Sequence, residues 1–325
     1  MKQIVFIGFA CSLALATGDS AMAISTLEDT FNSLPLLNIP AIAPPKNPLY
    51  PNVYRPRPAR DPDTLPSALP PTTDLGPGPD NPPVAASIGA VPSVVAIGES
   101  TNLAQDYLCA GVLVSPSWVL TVAHCTFNFA RRWPNDAAPY VFTATETLTS
   151  PGPQFTVESI VTHPQFDPRT LRNDLALLKI DPKKATVGPP LRLDGPPIAA
   201  QVGEIGSIFG WGVSTTAVEP SSTGSLQLIQ TAVLDEGVCF SAVNFPALRS
   251  TGVFCARSIL KYRDVCSQFG GSPMVLLDSK GERYLGGLVS WPAKCPPDAS
   301  KPNVYLDVQL YVPWIKGVIN NKASY

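Results

Sequence analysis

From Ile88 onward the chain is written in short apolar runs rich in β-branched residues, each interrupted by Gly, Pro, Ser or Asn before it reaches the length of a helix. The runs "SVVAIG", "AGVLVS", "WVLTVA", "TVESIVTH", "LALLKI", "GEIGSIFGWG", "LQLIQTAVL" and "YLGGLVSW" follow one another at turn-punctuated intervals. Val and Ile are stiff at χ1 and fit a pleated surface, so this texture predicts an all-β barrel or sandwich. Only "VPWIKGVIN" has a helical period, with Trp314, Ile315, Val318 and Ile319 on one face. The expectation is a β domain over residues 88–325, closed by a short C-terminal helix.

Residues 24–87 are of another kind, dense in proline, as in "IPAIAPPKNPLYPNVYRPRPARDPDTLPSALPPTTDLGPGPDNPP". Proline removes backbone donors and blocks helix and central strand, so this segment is expected to be extended and disordered. It reads as a spacer, or as a docking segment through the tyrosines and arginines of "LYPNVYRPRPAR". Residues 1–23 join a lysine, an apolar run and the small-residue pattern Ala21-Met22-Ala23, which suits a cleaved signal peptide. The run is too short to span a bilayer, and the expected location is secreted, extracellular or periplasmic. A net charge of -2 implies neither a nucleic-acid partner nor an anionic membrane surface.

Without the signal, which contains Cys11, six cysteines remain: Cys109, Cys125, Cys239, Cys255, Cys266 and Cys295. An even number in an exported chain favours three disulfides over metal ligation, and no metal or cofactor is expected. The count alone leaves roughly 15 connectivities open.

Three segments carry chemistry together: "CAGVLVSPSWVLTVAHC" (109–125), "HPQFDPRTLRNDLALLKI" (163–180), and "DVCSQFGGSP" (264–273) followed by "LGGLVSWPAKC" (285–295). With "FGWG" (209–212) between them and "VYLDVQLYVPWI" at the end, their order resembles the trypsin and chymotrypsin-like serine endopeptidases over roughly residues 90–320. The resemblance implies two six-stranded antiparallel β-barrels with the site between them. It also implies the pairs Cys109–Cys125, Cys239–Cys255 and Cys266–Cys295, each typically worth about 2–4 kcal/mol. His124 falls where the family keeps its general base, and Asp174 where it keeps the residue that orients that histidine. His163 matches a loop position that is not catalytic in the family.

The third member of the triad is missing. The family's turn reads Cys-x-Gly-Asp-Ser-Gly-Gly-Pro, and placing Cys266 and Pro273 on its ends needs no gap. Ser267 takes the variable place, Gln268 the first glycine, Phe269 the aspartate, Gly270 the nucleophilic serine and Ser272 the last glycine. Glycine offers no hydroxyl, and Ser267 and Ser272 lie two or three residues away from the required place. In the family the aspartate pairs with a new amino terminus released by cleavage, and Phe269 has no charge to pair. No basic residue leads into an Ile-Val-Gly-Gly sequence upstream either. The oxyanion-hole positions are Gln268 and Gly270. Gly270→Ser alone is therefore expected not to restore activity.

Asp264 falls where trypsin-like members receive a lysine or arginine side chain, and Ser290 and Trp291 where they align substrate. Pro292 and Asn303 replace glycines that keep this slot open, so the expected pocket is closed, with Asn303 hydrogen-bonded to Asp264. The resulting expectation is a secreted, non-catalytic homologue that binds an extracellular protein as a cofactor, decoy or inhibitor of other hydrolases. Two alternatives are an active endopeptidase of Lys/Arg preference with a rearranged turn, and a protein whose function resides in the proline-rich segment.

Overall fold

The computed structural model describes residues 84–127, 138–183, 188–196, 198, 202–212, 214–215, 220–221, 224–242, 252–259, 264–291 and 302–320. Residues 1–23, the expected signal peptide, and nearly all of the proline-rich segment lie outside these residues, as do Pro292 and Cys295.

A two-residue strand, β1 (Val84–Ala85), leads into two barrels. The first contains β2 (Val94–Gly98), β3 (Tyr107–Ser115), β4 (Trp118–Thr121), β5 (Tyr140–Phe142), β6 (Gln154–Thr156), β7 (Ser159–Thr162) and β8 (Ala176–Lys179). They pair antiparallel in the order β6-β5-β2-β3-β4-β8-β7. β6 and β7 form opposite edges, yet only Val157 and Glu158 separate them. The Val157 N–H donates to Pro139 O beside β5, and the Glu158 N–H to Lys179 O at the end of β8. The sheet thus rolls up through one bent strand, which the run "TVESIVTH" presents as continuous.

The second barrel contains β9 (Ile205–Gly210), β12 (Gln227–Val233), β13 (Val253–Ser258), β14 (Pro273–Leu277), β15 (Arg283–Trp291) and β16 (Asn303–Asp307). The order β12-β13-β16-β15-β14-β9 closes into a ring because β12 also pairs with β9. β1 lies on β12, and a small hairpin, β10 (Ser214–Thr215) with β11 (Pro220–Ser221), stands apart. Two six-stranded all-β barrels are therefore present, as the family resemblance implies.

Alternation along the strands fills three regions. On β3 and β4, Leu113 and Val119 join the interior of the first barrel, while Val112 and Leu120 turn to a cluster that also holds Trp211 and Leu306 from the second half. Both faces of these strands are buried, which explains why "AGVLVS" reads as an uninterrupted apolar run. The second barrel's interior holds Ile208, Ile229, Met274, Tyr284, Val289 and Tyr305.

Three helices are present among the described residues: α1 (Leu103–Asp106), α2 (Glu236–Ala242) and α3 (Val308–Ile319). The sequence reading contains only the last, and starts it at Val312. It begins at Val308 because Asp307 caps it, accepting from the Gln309 N–H at 3.2 Å. Trp314, Ile315 and Val318 are buried as expected, and Ile319 packs against the same cluster. No described helix is long and apolar enough to cross a membrane.

Disulfides join Cys109 to Cys125 and Cys239 to Cys255, as the resemblance implies. Cys266 is also disulfide-bonded, and Cys295, the partner expected for it, lies outside the described residues.

Candidate active site

β4 ends at Thr121, and a single 3-10 turn, Ala123–Cys125, carries His124, whose side chain is 32% exposed. The Cys109–Cys125 bridge ties that turn back to β3. Asp174, fully buried, precedes β8 on a loop in which Leu171 and Asn173 take positive φ. His124 Nδ1 lies 2.7 Å from Asp174 Oδ2, and the His124 backbone N–H donates to Oδ1 at 2.8 Å. The Ser290 hydroxyl, from β15 of the other barrel, donates to Oδ2 at 2.7 Å. With Nδ1 directed at this carboxyl, Nε2 is the ring's free nitrogen. Sequence reasoning places Ser290 in the pocket wall and misses this bond.

His163 stands apart from this pair. Its ring packs 5.5 Å from Tyr311 and 4.9 Å from Trp314, and burial pushes its pKa down to about 4.

Gly270 is the residue that faces His124. An ideal Cβ built on it would lie 3.1 Å from Nε2 and 3.3 Å from the sulfurs of both Cys109 and Cys125. The turn is pinned on each side. Ala110 N–H donates to Gly270 O at 2.9 Å, and Gly271 N–H to Val289 O at 2.8 Å. Gly271 has φ +76°, and a Cβ there would meet Ala110 O at 2.1 Å, so only glycine fits. Gln268 also sits in the left-handed region, at φ +64°, which costs a non-glycine residue about 1–2 kcal/mol. Its carbonyl accepts from the Tyr107 hydroxyl at 3.2 Å. The N–H groups of Gln268 and Gly270 have no acceptor among the described residues.

Ser272 brings no hydroxyl to this face. Ser272 is fully buried, its Oγ has no hydrogen-bond partner, and it lies against Gly210, where a Cβ would meet it at 2.3 Å. Ser267 is exposed. Phe269 is fully buried in the second barrel's interior beside Val265 and Met274. Its ring fills the space over Gly210 and Gly212, where added Cβ atoms would approach it to 2.9 and 2.4 Å. The two glycines that bracket Trp211 are what make room for it.

The sulfurs of Cys109 and Cys125 and a His124 ring nitrogen lie within 4.8 Å of one another. Both sulfurs are joined in the disulfide, so they offer no thiolate to a metal.

Asp264 is only 5% exposed and accepts from Val265 N–H at 2.7 Å, Ser258 N–H at 3.2 Å and Asn303 Nδ2 at 2.8 Å. Asn303 is fully buried on β16. Burial pushes the Asp264 carboxyl up to about 7, against the opposing pull of those bonds and of Arg257. A carboxyl shifted upward binds its proton more tightly in the folded chain, so stability is greatest below the ordinary value of 3.8 and falls until pH passes about 7. The contribution lost is on the order of 4 kcal/mol. Asp264→Asn is expected to remove this part of the slope, as measured by urea unfolding between pH 4 and 8. An unchanged slope would assign it to other groups.

The family model described as "Trypsin" matches residues 84–315. Human granzyme M is 33% identical over 222 residues, 67% of this chain and 82% of its own length. Mouse transmembrane protease serine 11G is 27% identical over 249 residues, 75% of this chain but only 58% of that protein. Among solved structures, neuropsin, a serine protease expressed in the limbic system of mouse brain, matches with a TM-score of 0.59 at 25% identity. That match covers 72% of this chain and 97% of neuropsin.

Proposed function

The chain belongs to the trypsin family, and on that footing we propose that it is an exported, non-catalytic member that acts by binding an extracellular protein. The observation that carries this reading is the identity of the residue opposite His124 Nε2: a glycine, with nothing beyond its Cα. Peptide cleavage by this family's route begins with a hydroxyl attacking the scissile carbonyl, and without one no acyl-enzyme forms. In an unrelated protease that uses the same triad, loss of the serine lowers turnover about a million-fold.

The pocket supports the same reading. A lysine or arginine reaching Asp264 would have to displace Asn303 from a buried carboxyl that already has three donors. The alternative, an active endopeptidase with Lys/Arg preference, needs another nucleophile, and the Ser272 hydroxyl is turned against Gly210 in the core. Regulation of a hydrolase, as cofactor, decoy or inhibitor, is the role that a retained fold without chemistry suits.

A fluorophosphonate probe on the purified mature protein is expected to give no covalent label. Labelling that disappears in His124→Ala would sink the non-catalytic reading.

A further inference from the structure

We propose that the ligand held beside His124 is the free C-terminus of a peptide, its α-carboxylate seated between His124 Nε2 and the backbone N–H groups of Gln268 and Gly270. This rests on the non-catalytic reading and narrows it to a ligand class. Buried N–H groups without an acceptor are rare, and Gly270 N–H is one, with Gln268 N–H two residues earlier in the same turn. Free backbone N–H groups close together in a turn attract anions.

Gly270 itself faces His124. The hydroxymethyl group that Gly270 lacks would have started 3.1 Å from Nε2, so its absence opens a place for an oxygen within hydrogen-bonding reach. A carboxylate has two oxygens and satisfies both sides at once, one on the N–H groups and one on the imidazole. A C-terminal amide or an internal peptide bond brings only one acceptor oxygen. A serine at 270 would occupy the second oxygen's place with its own lone pairs.

Protonation follows from the same geometry. Nδ1 already donates to Asp174, so Nε2 can donate to the ligand only if the ring gains a proton. The ionised groups at the bound site are then imidazolium, the Asp174 carboxylate behind it and the ligand carboxylate in front. The other neighbours, Ser290 and the bridged Cys109 and Cys125, carry no charge. Because Asn303 closes off Asp264, the last residue of the ligand is small and uncharged rather than lysine or arginine.

The test is calorimetry on the purified mature chain with an N-acetylated tetrapeptide ending in alanine, as free acid and as C-terminal amide. The free acid is expected to bind at least tenfold more tightly, given what a hydrogen bond between charged groups contributes. His124→Ala is expected to weaken the acid by roughly 10- to 100-fold, and Gly270→Ser by at least tenfold, with near-UV circular dichroism confirming the fold of each. Equal binding of acid and amide, no binding of either at millimolar concentration, or indifference to Gly270→Ser would overturn the proposal. Tighter binding of an arginine-terminated acid would overturn its small-residue selectivity. Hydrolysis of an ester or amide peptide, by contrast, would count against the non-catalytic reading itself.

Discussion

Phe269→Asp, which restores the residue that the family keeps at this position, is expected to leave the domain unfolded or nearly so at neutral pH. Two costs add. Removing a fully buried phenylalanine ring from the second barrel's interior loses about 3–5 kcal/mol. Placing a carboxylate among Val265, Ile208 and Met274 costs several more, because an unpaired buried charge has no solvent to stabilise it. Domains of this kind hold roughly 5–15 kcal/mol in total. Urea unfolding followed by circular dichroism measures the loss, with Phe269→Leu as a milder control expected to cost at most about 1.5 kcal/mol. A variant with aspartate within 1 kcal/mol of the parent would mean that a cationic group reaches this position, contrary to the packing of Phe269 against Gly210 and Gly212.

Gly270→Ser is expected to change fluorophosphonate labelling from none to near-stoichiometric while leaving arginine substrates almost uncut. The hydroxyl would hang from a Cβ already 3.1 Å from His124 Nε2, and the Gln268 and Gly270 N–H groups are free to receive an oxyanion. The sequence reading also expects no recovered activity, but attributes it to the lost charge at Phe269. In the structure the turn has other supports, namely the buried Phe269 ring and the Tyr107 hydroxyl on Gln268 O. On the proposed reading, the contact of Asn303 with Asp264 is what withholds turnover. Adding Asn303→Gly to Gly270→Ser is expected to raise kcat/KM on arginine substrates by roughly 10- to 100-fold, the worth of a charge-assisted bond. Equal kcat/KM for the single and double variants would contradict a closed pocket, and absence of labelling would contradict a preformed turn.

The all-β texture is legible in the sequence because β-branched runs and turn residues are local signals, whereas the two barrels and the site follow from the family resemblance carried by motifs in unbroken order. Gly270 opposite His124 follows from counting between Cys266 and Pro273. Tyr107 was not legible: nothing in "DYLC" indicates that its hydroxyl reaches a carbonyl 161 residues away. Gln268 in a left-handed conformation could be suspected only from the glycine it replaces. α2 escaped because seven residues are too few for a helical period to stand out, and α3 was started late because "NVYLDV" reads as strand up to the cap at Asp307.

The contacts around Asp174 also set an order in time. This residue belongs to the first barrel, yet its carboxyl accepts a hydrogen bond from the Ser290 hydroxyl on β15, and its neighbour Asn173 accepts from the Tyr311 hydroxyl on α3 at 3.2 Å. During synthesis the first barrel can close on its own strands well before either group exists. The pairing of His124 with Asp174 can form within the first half, but the support behind Asp174 is complete only when the final stretch of the chain has been made.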